Sequence, residues 1–165
     1  MIRKVLLSDA ETIAAIYNHY VTTTTVSFEV DPLSVEEMRQ RISAVAAAFP
    51  YYVYEHEGRF VGFCYAHKWK ERAAYDKTLE TTIYLSPDCL HRGIGQQLME
   101  TLISDCRERG VRVLIACITY GNVSSIRFHE RLGFGQVSHF HQVGFKFGRS
   151  LDVVDYQLVL CEEDS

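Results

Sequence analysis

Apolar and polar positions change period several times along the 165-residue chain, and each change marks an element. Ile2 to Leu7 reads as a short strand, after which Ser8 with Glu11 three residues on predicts a capping box ahead of Ile13, Ile16 and Tyr17. The β-branched run Thr22 to Thr25 ends that helix and opens an extended link, Val26 to Glu29. A second capping box, Ser34 with Glu37, starts a helix through Met38, Ile42 and Val45 that stops before Pro50. Tyr51 to Glu55 and Phe60 to Lys68 are β-rich, and Glu57-Gly58 between them predicts a hairpin. Trp69 to Lys77 is a linker of mixed aromatic and charged residues.

From Glu80 the pattern alternates in a strand that Pro87 closes, placing Glu80, Thr82 and Tyr84 on one face. Gly93 and Gly95 flank Ile94, and Ile94, Leu98, Leu102 and Cys106, widened by Met99 and Ile103, form one stripe of a helix ended by Gly110. Val111 to Thr119 is a nearly continuous apolar run, the mark of a strand buried on both faces. Gly121 breaks it, Asn122 caps a short helix from Val123 to Leu132, and Gly133 ends that helix. Phe134 to Phe147 and Leu151 to Leu160 are β-rich, with a turn at Gly148 to Ser150. The sum is an α+β chain, a single domain over residues 1–165, with a mixed, mostly antiparallel sheet and about four helices.

Composition narrows the class. Apolar residues make up 47% and charged ones 23%, enough to bury a core. The formal net charge of -4, with Lys and Arg scattered, forms no basic patch, so nucleic acid is not an expected partner. No apolar run reaches the roughly 18 residues of a membrane span, and the start of the chain lacks a secretory pattern. No membrane association is expected and the expected compartment is the cytoplasm. Five cysteines without a CxxC pair suit free thiols, and Cys106 and Cys117, in apolar patterns, read as buried structural residues. His139 and His141 alternate onto one strand face, but two imidazoles without a third ligand at suitable spacing leave the expectation at no metal.

A strand, a glycine-bearing turn and a helix leave backbone N–H groups free at the helix start, where the dipole favours an anion such as phosphate. The same arrangement also serves plain packing. Glu80, just upstream, is either a proton acceptor beside that site or a solvated carboxylate at a strand start.

The turn Leu90, His91, Arg92, Gly93, Ile94, Gly95, together with NVSSIRFHERLGF from Asn122 to Phe134, resembles the GNAT superfamily of acetyl-coenzyme A dependent N-acetyltransferases. WKERAAYDKTLE at Trp69 to Glu80, Ser86-Pro87, GFKFGRSLDV at Gly144 to Val153, IYNHYV and TVSFE narrow the resemblance to its phosphinothricin and methionine sulfoximine acetyltransferase branch. Two positions stand out: Leu90 occupies a place the superfamily usually gives to Gln or Arg, and His129 one where many members carry Tyr.

The resemblance implies acetyl-coenzyme A as cosubstrate, with the turn His91, Arg92, Gly93, Ile94, Gly95 and Gln96 on its diphosphate. It further implies Ile83, Tyr84 and Leu85 along the pantetheine arm, and Asn122 and Ser124 near the sulfur. Glu80 matches the carboxylate assigned to proton removal. His129, or alternatively Tyr120, is the candidate proton donor to the departing thiolate. Phe28, Arg72 and Tyr75 are the expected acceptor pocket, Arg72 suiting a carboxylate or phosphinate and Lys146 offering a second cation, across a dimer contact. The acceptor implied is a small-molecule amine, the α-amino group of an amino-acid analogue, and the assembly implied is a homodimer. Competing acceptors are a protein N-terminus, a polyamine or an aminoglycoside. A non-catalytic acyl-coenzyme A binding module is the alternative from another class.

Overall fold

The computed structural model describes residues 1–161. Seven strands form one sheet: β1 Ile2–Lys4, β2 Tyr51–His56, β3 Arg59–Lys68, β4 Thr78–Leu85, β5 Val113–Thr119, β6 Gly135–Lys146 and β7 Arg149–Val159. Their spatial order is β1-β2-β3-β4-β5-β7-β6. Every neighbouring pair is antiparallel except β4 and β5. The helices are α1 Ala10–Thr23, α2 Val35–Ala46, α3 Ile94–Glu108 and α4 Val123–Arg131. The α+β class and the mixed sheet expected from the sequence are what the chain adopts.

Helices cover both faces of the sheet. The α3 stripe Ile94, Leu98, Met99, Leu102, Ile103 and Cys106 is buried with Cys64, Ala66, Leu114 and Val154, and Phe128 of α4 and Leu132 just after it pack against the same cluster. On the opposite face Ile13 and Ile16 of α1 and Met38 and Ile42 of α2 bury Tyr51, Val53 and Phe63. Each fully buried Leu or Met contributes about 1.5–3 kcal/mol, so the two clusters fix which side chains each face presents.

Local signals explain several boundaries. Ser34 and Glu37 form the expected reciprocal cap. Glu57 and Gly58, at φ 51° and 75°, make the two-residue turn whose twist suits the β2–β3 hairpin. Gly110 and Gly133, with φ 79° and 98°, follow α3 and α4.

Other expectations are corrected. β1 ends at Lys4 rather than Leu7, and Leu7–Asp9 is a single 3-10 turn. Ser8 and Glu11 do not cap α1, which starts at Ala10 without a side-chain cap. The reason is Asp9, whose carboxylate takes two 2.8 Å hydrogen bonds from Arg3 and one from the Leu6 N–H, pinning the chain one turn away. The last hairpin turns at Phe147 and Gly148 rather than at 148–150, because those two residues take φ 54° and 72°. Cys117 is exposed, not buried, while Cys106 is buried.

Candidate active site

The parallel ladder of β4 and β5 is short. It pairs Thr78 with Val113, Leu79 with Leu114 and Glu80 with Ile115, and then stops. β4 continues to Leu85 still paired with β3, and β5 continues to Thr119 still paired with β7, so the sheet parts between them. The Ser86 N–H donates to the Val61 carbonyl at 2.8 Å, which turns Ser86 toward β3. Strand alternation therefore turns the main-chain groups of Leu85 and Ile83 toward the gap. The Leu85 carbonyl, on that side, accepts a 2.5 Å bond from the Tyr20 hydroxyl of α1.

Packing holds the gap open at its α3 end. A Cβ on Gly95 would lie 3.3 Å from Phe128 Cε2 and 3.5 Å from Leu85 Cδ1, so the first turn of α3, α4 and the end of β4 converge on that glycine. Gly93, the residue before α3, takes φ 75° and offers no side chain as a cap. Within the helix the first 13-atom ring is closed by Gln97 N–H to Gly93 O at 3.2 Å. The amides of Ile94, Gly95 and Gln96 precede it and point out of the helix start, a cradle for an anion. His91, at φ 64°, and Arg92 are exposed in the turn, as is Leu90. The Gln96 side chain is turned along the helix to Glu100 at 2.8 Å, leaving its main chain for a ligand.

Glu80 lies at the fork. Its Oε2 is 3.1 Å from Nε2 of His67 on β3, and its Oε1 accepts from the Cys117 thiol of β5 at 3.2 Å. Burial pushes the Glu80 carboxyl up, but the bonds from His67 and Cys117 and the imidazolium charge outweigh it, so the net shift is downward from 4.5. His67 moves upward from 6.5, chiefly through the hydrogen bond to Glu80 and against burial. Its Nδ1 lies 3.0 Å from the Lys68 carbonyl, an acceptor only, so Nδ1 carries a hydrogen. The Nε2 to Oε2 contact then holds one proton shared by the pair. Although Cys117 is exposed as a residue, its thiol is desolvated where it meets Glu80 and is pushed upward by that and then by the Glu80 charge, so it stays protonated.

Beyond Glu80 on the same face, Tyr84 meets Tyr17 edge-on at 5.2 Å and Tyr20 at 5.2 Å. Tyr17 shares a 3.1 Å bond with Ser27 of the extended link. That link is tied down from three sides, by Tyr17, by Thr119 donating to Thr25 O at 2.8 Å, and by Lys146 donating to Ser27 O at 2.7 Å. Lys146 is buried within its own chain, so it does not reach across a dimer contact through this amine. Gly144 leaves the space that the Phe28 ring fills: a Cβ there would fall 2.3 Å from Phe28 Cε2. Phe28 is thus half packed on the β6–β7 hairpin and 40% exposed.

Arg72 and Tyr75 lie in the segment between β3 and β4, Tyr75 edge-on to Trp69 at 5.3 Å. Glu71 and Asp76 approach Lys68 rather than Arg72, and among the described residues Arg72 has no ion-pair partner. His129 is buried between Phe128 and Phe134, with Nδ1 2.8 Å from the Ser125 carbonyl, and burial lowers it from 6.5 despite that bond. Asn122 Oδ1 caps α4 through the Ser125 N–H at 3.3 Å, and Ser124 is exposed on the first turn. Tyr120 is exposed and lies against His139, the rings tilted with centroids 4.6 Å apart. His67 and Cys117 carry no signal in the sequence for a place beside Glu80, and only the β3–β4–β5 register brings them there.

An anion cradle at a helix start beside a parted sheet with unpaired strand donors suits a long phosphorylated cosubstrate whose reactive end lies near Glu80. These features fit the acyl-coenzyme A dependent transferase that the sequence resemblance implies. The sequence profile of the acetyltransferase (GNAT) domain matches residues 2–154, and the chain belongs to that family. It is 41% identical over 166 residues to a phosphinothricin N-acetyltransferase of Alcaligenes faecalis, covering 99% of this chain and 84% of that one. An L-methionine sulfoximine/L-methionine sulfone acetyltransferase of Pseudomonas paraeruginosa is 34% identical over 161 residues, covering 96% and 94%. The crystal structure of a phosphinothricin acetyltransferase from Sinorhizobium meliloti in complex with acetyl-CoA superposes with a TM-score of 0.92 at 34% identity, over 96% of this chain and 87% of that one. The protein is an acetyl-CoA-dependent N-acetyltransferase. Among the described residues no helix is long and apolar enough to cross a membrane.

Proposed function

We propose that the chain acetylates the α-amino group of a small amino-acid analogue of the phosphinothricin, methionine sulfoximine or methionine sulfone type, with Glu80 and His67 acting together as proton acceptor. The observation that carries this reading is the position of Glu80 on the last rung before β4 and β5 part, bonded to His67 at 3.1 Å.

Acetyl-CoA, when bound, supplies an electrophilic thioester carbonyl and a thiolate leaving group. The amides of Ile94, Gly95 and Gln96, with Arg92 beside them, suit its diphosphate, and the backbone of Ile83 to Leu85 suits the pantetheine arm as an added strand edge. The Leu85 N–H, turned to the gap, is a donor for an oxygen that gains charge during transfer.

The acceptor amine arrives mostly protonated near neutral pH and attacks only as the free base. With the shared proton gone from the Glu80–His67 pair, Glu80 takes one from the ammonium, directly or through water, and His67 stabilises the protonated pair. His129 stays outside this step: its Nδ1–H is spent on Ser125 and its neutral ring has only an acceptor left. A thiol with a pKa of about 8.5 leaves as thiolate without an acid.

On the acceptor side, Arg72 has its guanidinium fork available for a carboxylate or phosphinate, and Phe28 and Tyr75 supply apolar walls. The names of the two relatives support this acceptor class. A homodimer is part of the proposal, supported by the edge strand β6, which leaves Phe140 and Phe145 exposed at 50% and 71%. Light scattering on the purified chain tests it.

A thiol-release assay offering phosphinothricin, methionine sulfoximine, methionine sulfone, spermidine, an aminoglycoside and a peptide N-terminus tests the acceptor. The amino-acid analogues are expected to give the highest kcat/KM. A higher value for spermidine or the peptide contradicts the assignment.

A further inference from the structure

The β6–β7 hairpin is interrupted opposite Asp152. Phe140 pairs with Val153, pairing resumes at Gly144 with Leu151, and residues 141–143 bulge out between them. Gln142 takes φ 56° there, and its N–H donates to Asp152 Oδ1 at 2.8 Å. The other carboxylate oxygen faces two imidazoles, His139 Nε2 at 2.8 Å and His141 Nδ1 at 3.1 Å. The two rings stack with centroids 4.3 Å apart, and one donor atom from each of the three residues lies within 4.8 Å of the others.

We propose that His139, His141 and Asp152 bind one late first-row divalent metal ion, of the Zn2+ class, which ties the bulge of β6 to β7. Ligand bonds of about 2.0–2.2 Å set neighbouring donors of such an ion about 3–3.5 Å apart. One of the three separations here, 3.1 Å, falls in that span, the second is slightly shorter at 2.8 Å, and the third is within 4.8 Å. Two imidazole nitrogens select against Mg2+ and Ca2+, which take oxygen donors. The Gln142 N–H orients the carboxylate from behind, as a ligating carboxylate requires. His141, with its side chain 76% exposed, gives the ion a path in and has freedom to close on it. Without an ion the two contacts are hydrogen bonds from imidazole N–H groups to the carboxylate, and a divalent cation would replace both of those hydrogens while keeping the three donors converged.

The ion sits away from Glu80. Asp152 is the register neighbour of Tyr120, whereas Glu80 pairs with Ile115, opposite Gln157. Gln157 is five residue steps along β7 from Asp152, about 17 Å. The ion braces the hairpin that seats Phe28 and Lys146, and this inference stands apart from the proposed acceptor.

Metal-free chain titrated with ZnCl2, CoCl2 and MgCl2, followed by calorimetry and thermal unfolding, tests it. Zn2+ is expected to bind at one ion per chain with a micromolar or tighter Kd and to raise the midpoint by about 5 °C at a hundredfold excess over Kd. Co2+ is expected to give visible d–d absorption, and Mg2+ no effect. His141→Ala and His139→Ala should each weaken Zn2+ at least about tenfold, a loss of about 1.4 kcal/mol, while Cys117→Ser binds as the parent does. Absence of Zn2+ binding below about 100 μM, full affinity in His141→Ala, or lost affinity in Cys117→Ser overturns the site.

Discussion

Glu80 and His67 face each other across the β3–β4 ladder as direct register partners, with Oε2 and Nε2 3.1 Å apart. Each shifts the other: the carboxyl goes down from 4.5 and the imidazole up from 6.5. Linkage gives the sign for stability. His67, raised on folding, stabilises below pH 6.5 and loses that contribution as pH rises through its folded value. Glu80, lowered on folding, stabilises above pH 4.5 and loses it as pH falls through its folded value. His67→Gln should therefore lower the thermal midpoint most between pH 4.5 and 6.5, with the deficit shrinking toward pH 8. A deficit that is constant with pH contradicts the pairing.

The same pair sets a kinetic limb. With His67 in place, kcat should rise with pH through an apparent pKa above 6.5, as the shared proton leaves. In His67→Gln that limb should move to lower pH, because Glu80 then titrates alone, and the plateau should fall. A pH–rate profile of both proteins decides it, and an unmoved limb rejects the partnership.

Gly144 and Phe28 form a second test. In Gly144→Ala the new Cβ meets the Phe28 ring at 2.3 to 3.0 Å, so the half-exposed ring must leave its seat. The KM for the amine should rise severalfold while that for acetyl-CoA holds, with stability reduced by about 1 kcal/mol. Steady-state kinetics in both substrates check this. An unchanged amine KM means that Phe28 only packs.

Arg72 separates charge from shape. Arg72→Ala should raise the KM for phosphinothricin by tenfold or more, about 1.4 kcal/mol or above. Arg72→Lys should recover part of it, since the charge stays and the fork is lost. Equal kinetics in all three proteins remove Arg72 from the pocket.

Much of the fold is legible in short-range chemistry. Ser34 with Glu37, and Glu57-Gly58, work because their partners are three residues away or fewer. Ser8 with Glu11 carries the same local motif and fails, because Arg3 on a neighbouring strand claims Asp9. The site follows the same division. Glu80 and the glycine turn are readable in a row, but His67 and Cys117 reach Glu80 only through strand register, over separations of 13 and 37 residues. Asp152 joins His139 and His141 for the same reason. Lys146, placed by sequence as a pocket cation, is drawn inward by the Ser27 carbonyl, 119 residues away.

The most direct measurement is Glu80→Gln, read in two ways on one preparation: calorimetric affinity for acetyl-CoA and kcat with phosphinothricin. The amide keeps the shape of the fork and cannot take a proton. Acetyl-CoA affinity within about twofold of the parent and a kcat lower by about 10²- to 10⁴-fold are predicted. A kcat within a factor of about three, with intact cosubstrate binding, contradicts Glu80 as the proton acceptor.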